Sequence, residues 1–228
     1  MASHLKVRTE KTGHYYQHGR LTESTRFVWI CLHGYGQLAK HFISRFEFLD
    51  PEQHLVIAAE GLNRFYFEGL NDRPVATWMT REDRLDEIAD YILFLESLRK
   101  KLGWDKNERI RVIYLGFSQG VTTLLRWLVD AAPRADYILL WAGGIPDDIL
   151  FDRRRAYFEK ISAFYFVGDA DVYLPEERVQ AIMSALKYRG LNCRLVAYRG
   201  EHKIDQEVMV NWVNQHLNNL PINPTDEK

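Results

Sequence analysis

The sequence predicts an α/β protein built on a doubly wound, mostly parallel sheet. Three observations lead there. Six runs of five or six residues are almost unbroken in their apolarity: Phe27 to Leu32, Leu55 to Ala59, Ile110 to Leu115, Tyr137 to Trp141, Ala163 to Val167 and Cys193 to Tyr198. A strand needs that composition when both of its faces are covered. Longer segments of helical period lie between these runs, and the alternation of strand and helix favours parallel strands joined by right-handed crossovers.

Taken in order, Lys6 to Gly19 reads as two short strands with Gly13 near the turn, an antiparallel hairpin at the sheet's edge. Arg81 to Leu102 sets Leu85, Ile88, Ile92, Leu95, Leu98 and Leu102 on one stripe, with Thr80 as N-cap and Gly103 closing the helix. Ser118 to Ala132 is a helix that stops before Pro133. Pro175 to Tyr188 begins with proline in the first turn and ends before Gly190, and Ile204 to Leu217 is the last helix. Neither a repeat nor a linker interrupts the series, so residues 1–220 are expected to form one domain without an added cap, and 221–228 a tail.

Composition narrows the function classes. The 228 residues carry 30 basic and 31 acidic side chains, which gives no electrostatic case for nucleic acid or an anionic membrane. No stretch approaches the roughly 20 apolar residues that cross a bilayer, and the first ten residues lack a signal-peptide apolar region, so a cytoplasmic protein is expected. Cys31 and Cys193 lie in strand runs and read as small buried hydrophobes, not a disulfide framework. His14 and His18 have the spacing of paired metal ligands on a helix, but glycines flank the segment, and no metal is expected. Arg153 to Arg155 reads as a solvated face, and no G-x-G-x-x-G dinucleotide fingerprint is present.

In an open α/β sheet, ligands bind beyond the carboxyl ends of the strands. Directly after the third run comes Gly116-Phe117-Ser118-Gln119-Gly120, a G-x-S-x-G between strand and helix. A serine there sits on a sharp turn with its hydroxyl above the sheet, a nucleophile rather than a simple N-cap. It needs a base of suitable pKa. His202 follows the last strand and His33 the first; the chain order serine, acid, histidine favours His202 and leaves His33 to shape its own loop. Asp169 and Asp171 both follow the Ala163 to Val167 run, and either could orient the imidazole. The oxyanion donors expected from this arrangement are the backbone N–H groups of Gln119 and Tyr35, the latter between Gly34 and Gly36.

Leu32-His33-Gly34-Tyr35-Gly36, the G-F-S-Q-G elbow, the Gly168 to Pro175 loop and Gly200-Glu201-His202 together resemble the phospholipase/carboxylesterase family of α/β-hydrolases, which includes acyl-protein thioesterases. The resemblance spans about Leu32 to His202. It implies an α/β-hydrolase fold and a cofactor-free serine esterase, and its G-x-x-D-x-x-[VIL]-P loop falls on Asp171, which makes Asp171 rather than Asp169 the triad acid. Related thioesterases carry Trp, an aromatic and Asp where this chain has Trp78-Met79-Thr80, so the substrate class departs from the pattern. Phe65, Tyr66 and Phe67, with Trp78, are expected to bind the substrate. The implied activity is hydrolysis of small or medium acyl esters through an acyl-enzyme. The alternatives are an acyl-protein thioesterase, a lysophospholipase, or a catalytically silent ligand-binding protein. The expected partner is a small-molecule ester, with a homodimer admitted as an assembly.

Overall fold

The computed structural model describes residues 2–69 and 72–218; the tail expected at 221–228 lies outside them. Seven strands form one sheet: β1 (Tyr15–His18), β2 (Phe27–Leu32), β3 (His54–Ala59), β6 (Arg111–Phe117), β7 (Tyr137–Trp141), β8 (Ser162–Gly168) and β9 (Cys193–Tyr198). Their order in space is β1-β3-β2-β6-β7-β8-β9, parallel throughout except for β1. The remaining two strands, β4 (Asn63–Tyr66) and β5 (Pro74–Thr77), pair as a separate hairpin. Helices α1 (Ala39–Phe42), α2 (Arg84–Leu102), α3 (Gln119–Ala131), α4 (Arg155–Phe158), α5 (Glu176–Tyr188) and α6 (Gln206–His216), with short 3-10 turns at Ile43–Phe46, Trp104–Lys106 and Phe151–Arg154, complete the described elements.

Both faces of the central strands are sealed, which is why their sequences are apolar without alternation. Trp29 and Phe164 meet Trp212 of α6 on one face, at 5.9 and 5.4 Å between rings. Trp29 registers with Ile113, so the next residue, Tyr114, points to the opposite face and packs at 5.3 Å against Trp127 of α3. All six residues of both β2 and β3 are buried.

Four sequence expectations shift. The antiparallel N-terminal element is present at the sheet's edge, but β1 takes β3 as its partner, Tyr15 opposite Ala59, while residues 6–12 form no strand. Lys6 is instead drawn to Asp83 and Asp86 at the start of α2. Helix α2 begins at Arg84 because Asp83 adopts a left-handed conformation (φ 46°), and Thr80 donates to the Glu87 carboxylate rather than capping the helix. The buried stripe of α2 is Tyr91, Leu95 and Leu98, whereas Leu85 is 71% exposed. Finally, β9 is not covered on both faces: as a terminal strand it leaves Leu195 exposed and Cys193 half-buried. Helix α6 starts at Gln206, where Asp205 accepts from the N–H groups of Glu207 and Val208. No described helix is long and apolar enough to cross a membrane.

His54 is buried at the start of β3, stacked on Phe27 and accepting through Nδ1 from the Trp29 indole at 3.1 Å. Burial pushes its pKa from 6.5 down to about 4, against the weaker opposing pull of Asp50. Between about pH 6.5 and 4 the unfolded chain therefore binds a proton that the folded chain refuses. This contribution to stability is complete above about pH 6.5 and is lost as the pH falls toward about 4. The urea midpoint should decline over that interval. His54→Gln, whose amide oxygen can still accept from Trp29, should flatten part of the decline; an unchanged slope would rule out His54 as a source.

Candidate active site

Ser118 lies between the end of β6 and the start of α3 with φ 52° and ψ −116°, a strained conformation for a side chain with a Cβ. Its N–H donates to the Trp141 carbonyl at 2.8 Å, and its hydroxyl makes no capping hydrogen bond to the helix. The simple N-cap reading therefore does not describe this serine. The turn is tight enough that a Cβ at Gly120 would fall 2.2 Å from the Leu32 carbonyl oxygen. Only glycine lets α3 approach β2 so closely.

The Ser118 Oγ lies 2.9 Å from Nε2 of His202, and the His202 Nδ1 lies 2.7 Å from an Asp171 oxygen. Residues 84 and 31 positions apart thus meet as one hydrogen-bonded line. Asp171 is 4% exposed, and its second oxygen accepts from the Tyr173 N–H at 2.9 Å, so the carboxylate is fixed at both ends. The imidazole is held between rings, Phe117 at 5.2 Å and Tyr173 at 4.8 Å. Such a line can hold a neutral imidazole with its Nε2 lone pair toward the serine hydroxyl and stabilise the cation formed on proton transfer.

The neighbouring aspartate has a different task. Asp169 accepts from the Gly200 N–H at 3.0 Å, while the Ala170 N–H donates to the Gly200 carbonyl, which laces the acid loop to the histidine loop. Below them the Trp141 indole donates to the Lys203 carbonyl and the Tyr198 hydroxyl. Tyr173, Tyr198 and Trp141 were not singled out from the sequence. Tyr173 carried a usable signal, an aromatic two residues after the acid; the other two sit inside strand runs that read only as core.

The His33-Gly34-Tyr35-Gly36 loop abuts the serine from the other side: a Cβ on Gly34 would lie 3.2 Å from the Ser118 Cβ. His33 is fully buried, with Nδ1 2.7 Å from the Gly34 carbonyl and Nε2 accepting from the Gly61 N–H. Burial lowers its pKa to about 4, so it is neutral and belongs to the scaffold of this loop. The Gln119 N–H, first in α3, has no intrahelical acceptor. The Gln119 side chain accepts from the Thr77 hydroxyl and the Trp78 N–H and donates to the Met79 carbonyl. It thereby pins the end of β5 to the elbow.

The expected substrate-binding aromatics divide. Trp78 is fully buried, its indole donating to the His33 carbonyl at 2.9 Å and its ring against Tyr91, so it cannot face a substrate and supports the loop from beneath. Phe65 lies 5.3 Å from Tyr35 and 6.5 Å from Phe67, forming an aromatic rim beside the Gly34 to Gly36 loop. Tyr66 follows Phe65 in β4 and so points to the other side of the hairpin, half exposed. Among the described residues, no group of His, Cys, Asp and Glu side chains could hold a metal ion.

No protein-family model matches the chain, and no curated protein matches it. Solved structures do. Acyl-protein thioesterase 2 of Zea mays is 19% identical with a TM-score of 0.70, the match covering 93% of this chain and 100% of that one. A carboxylesterase from Mesorhizobium loti is 17% identical with a TM-score of 0.66, over 92% and 98% of the two chains. A phospholipase/carboxylesterase from Dyadobacter fermentans is 18% identical with a TM-score of 0.63, over 92% and 99%. The chain has the fold of these proteins, the α/β-hydrolase fold, with Ser118, Asp171 and His202 in the segments that follow β6, β8 and β9.

Gln119→Ala keeps the backbone donor but removes three hydrogen bonds that join the elbow to residues 77–79. At about 1 kcal/mol for each of two or more bonds lost, Tm should fall by roughly 4–8 °C in a thermal scan. A fall below about 1 °C would mean that the side chain does not fasten this region.

Proposed function

We propose that this chain is a serine carboxylic ester hydrolase of the phospholipase/carboxylesterase family, with Ser118, His202 and Asp171 as its triad. The observation that carries the reading is the continuous hydrogen-bonded line from the Asp171 carboxylate through His202 to a serine held at positive φ. Its likeness in fold to carboxylesterases and a thioesterase supports the same class. Residues 1–220 are taken as one hydrolase domain.

In this reading, Ser118 Oγ attacks the ester carbonyl carbon as its proton passes to His202 Nε2. The tetrahedral oxyanion is held by the N–H groups of Tyr35 and Gln119, donors whose loss typically lowers rate roughly 10²- to 10³-fold. Collapse breaks the carbonyl–alkoxide bond, and the alcohol leaves with the proton from His202. Water then adds to the acyl-enzyme, giving its proton to His202, which returns it to Ser118 as the acid departs. Asp171 stabilises the imidazolium at both stages, and Phe65 and Phe67 border the substrate.

Purified protein should hydrolyse p-nitrophenyl butyrate and be labelled stoichiometrically by a fluorophosphonate. Ser118→Ala should abolish labelling and lower kcat by an amount on the order of 10⁶. Asp171→Asn should cost about 10⁴ while leaving the thermal midpoint readable as a folding control. Unimpaired turnover in Ser118→Ala would overturn the nucleophile. Folded wild-type protein that takes no label would favour a silent ligand-binding protein instead. Relative rates on short esters, long-chain thioesters and lysophospholipids then separate esterase from thioesterase and lysophospholipase.

A further inference from the structure

A cavity of about 390 Å³ opens beside the Gly34 to Gly36 loop, between α1 with the turn that follows it and the start of β5. Its walls carry Lys40, His41, Arg45 and Arg73, and no aspartate or glutamate lines it. Several cations elsewhere in this nearly neutral chain are held by carboxylates: Arg64 by Glu60, Arg99 by Glu96 and Asp105, Arg126 by Asp148, Arg189 by Asp147. Here Lys40 and Arg73 have no carboxylate partner among the described residues. Among the described residues Arg45 bonds only to the Ile204 carbonyl, at 3.5 Å.

The position of the cavity ties it to the reactive serine. Gly36, on its wall, is two residues from Gly34, which abuts Ser118; two peptide units span at most about 7.6 Å. Arg45 touches the chain two residues beyond His202. The cavity is therefore walled at Gly36 by the loop that abuts Ser118, and one of its lining residues, Arg45, also reaches the segment that follows His202. Gly36 and Gln37 are held in that wall by an N–H bond from Gly36 to the Ala76 carbonyl and one from Ala76 to the Gln37 carbonyl.

We propose that this cavity is an anion subsite, and that the ester cleaved at Ser118 carries a carboxylate or phosphate group that seats among Lys40, Arg45 and Arg73. The inference rests on Ser118 as the nucleophile and narrows the substrate class to anionic esters. Guanidinium and ammonium side chains lining one cavity with no carboxylate on its walls suit such an oxyanion, and charge-assisted hydrogen bonds would fix the ester's orientation.

Two pairs of esters, each with and without an anionic group, test it. The first is p-nitrophenyl hydrogen adipate against its methyl-capped diester, with a carboxylate on the acyl side. The second is phosphopropyl butyrate against propyl butyrate, with a phosphate on the alcohol side. The charged member of at least one pair should show about tenfold higher kcat/KM at low ionic strength. That preference should shrink in about 0.5 M NaCl and in the double variant Lys40→Gln, Arg73→Gln. The responding pair identifies the group that bears the charge. Equal or lower kcat/KM for both charged esters overturns the subsite. Failure of the esterase reading looks different: no ester of either pair is cleaved and no fluorophosphonate label appears. Calorimetric binding of adipate or inorganic phosphate to the wild-type protein, lost in the double variant, would then still support the anion site, and no binding of either would overturn it.

Discussion

The arrangement depends on one unfavourable conformation held in place by its neighbours. Ser118 at φ 52° costs of the order of 1–3 kcal/mol relative to a relaxed backbone. That cost is met by the burial of β6 and α3 on either side and by the Ser118 N–H bond to Trp141. Relaxing the turn would move the hydroxyl off the end of the sheet and out of reach of His202. The residues around the elbow thus hold this turn closed. Gly120 allows the helix to approach, Gln119 ties down residues 77–79, and Trp78 fills the space beneath.

The histidine side shows the same division of labour. His202 is on a loop that follows an edge strand, the part of the sheet with the least cover. A loop there would be mobile on its own. Asp169, the Ala170 N–H, Tyr198 and the Trp141 indole bind it to the rest of the molecule through polar contacts rather than burial. One aspartate of the pair therefore positions the loop while the other orients the ring, although the two are only two residues apart. Their roles separate because a turn in the backbone sends Asp169 toward Gly200 and Asp171 toward the imidazole.

How much of this was legible follows from how local each signal is. The strand runs, the elbow and His202 could be read because apolar continuity and the G-x-S-x-G turn are properties of short segments. Asp171 could not be told from Asp169 by chemistry, since both are carboxylates after one strand, and it was family-like spacing that separated them. Trp78, expected from the sequence beside a substrate, lies buried beneath the loop. An indole at a loop looks the same in sequence whether it faces solvent or donates to the His33 carbonyl 45 residues away. Helix α2 lost its first turn for a similar reason: the left-handed conformation of Asp83, which the Lys6 ammonium contacts from 77 residues away, leaves no trace in the helical period. Tyr66 was grouped with Phe65 and Phe67 by adjacency, but in a strand adjacency is what puts side chains on opposite faces.

The same reasoning explains why whole-chain composition and local charge lead to different expectations. A formal net charge of −1 argues against polyanionic partners, and it is an average over 228 residues. Pairing removes many of those charges from any external role, because an arginine bonded to a buried or fixed carboxylate presents little field to a ligand. What a small molecule meets is the remainder after pairing, and that remainder is unevenly placed. Lys40 and Arg45 lie on α1 and the turn that continues it, Arg73 lies just before β5, and the two walls are joined where Gly36 and Gln37 bridge to β5. The contacts that hold the loop beside Ser118 are also those that join the two walls on which these cations lie, so the position of that loop and the charge beside it are linked through one piece of backbone.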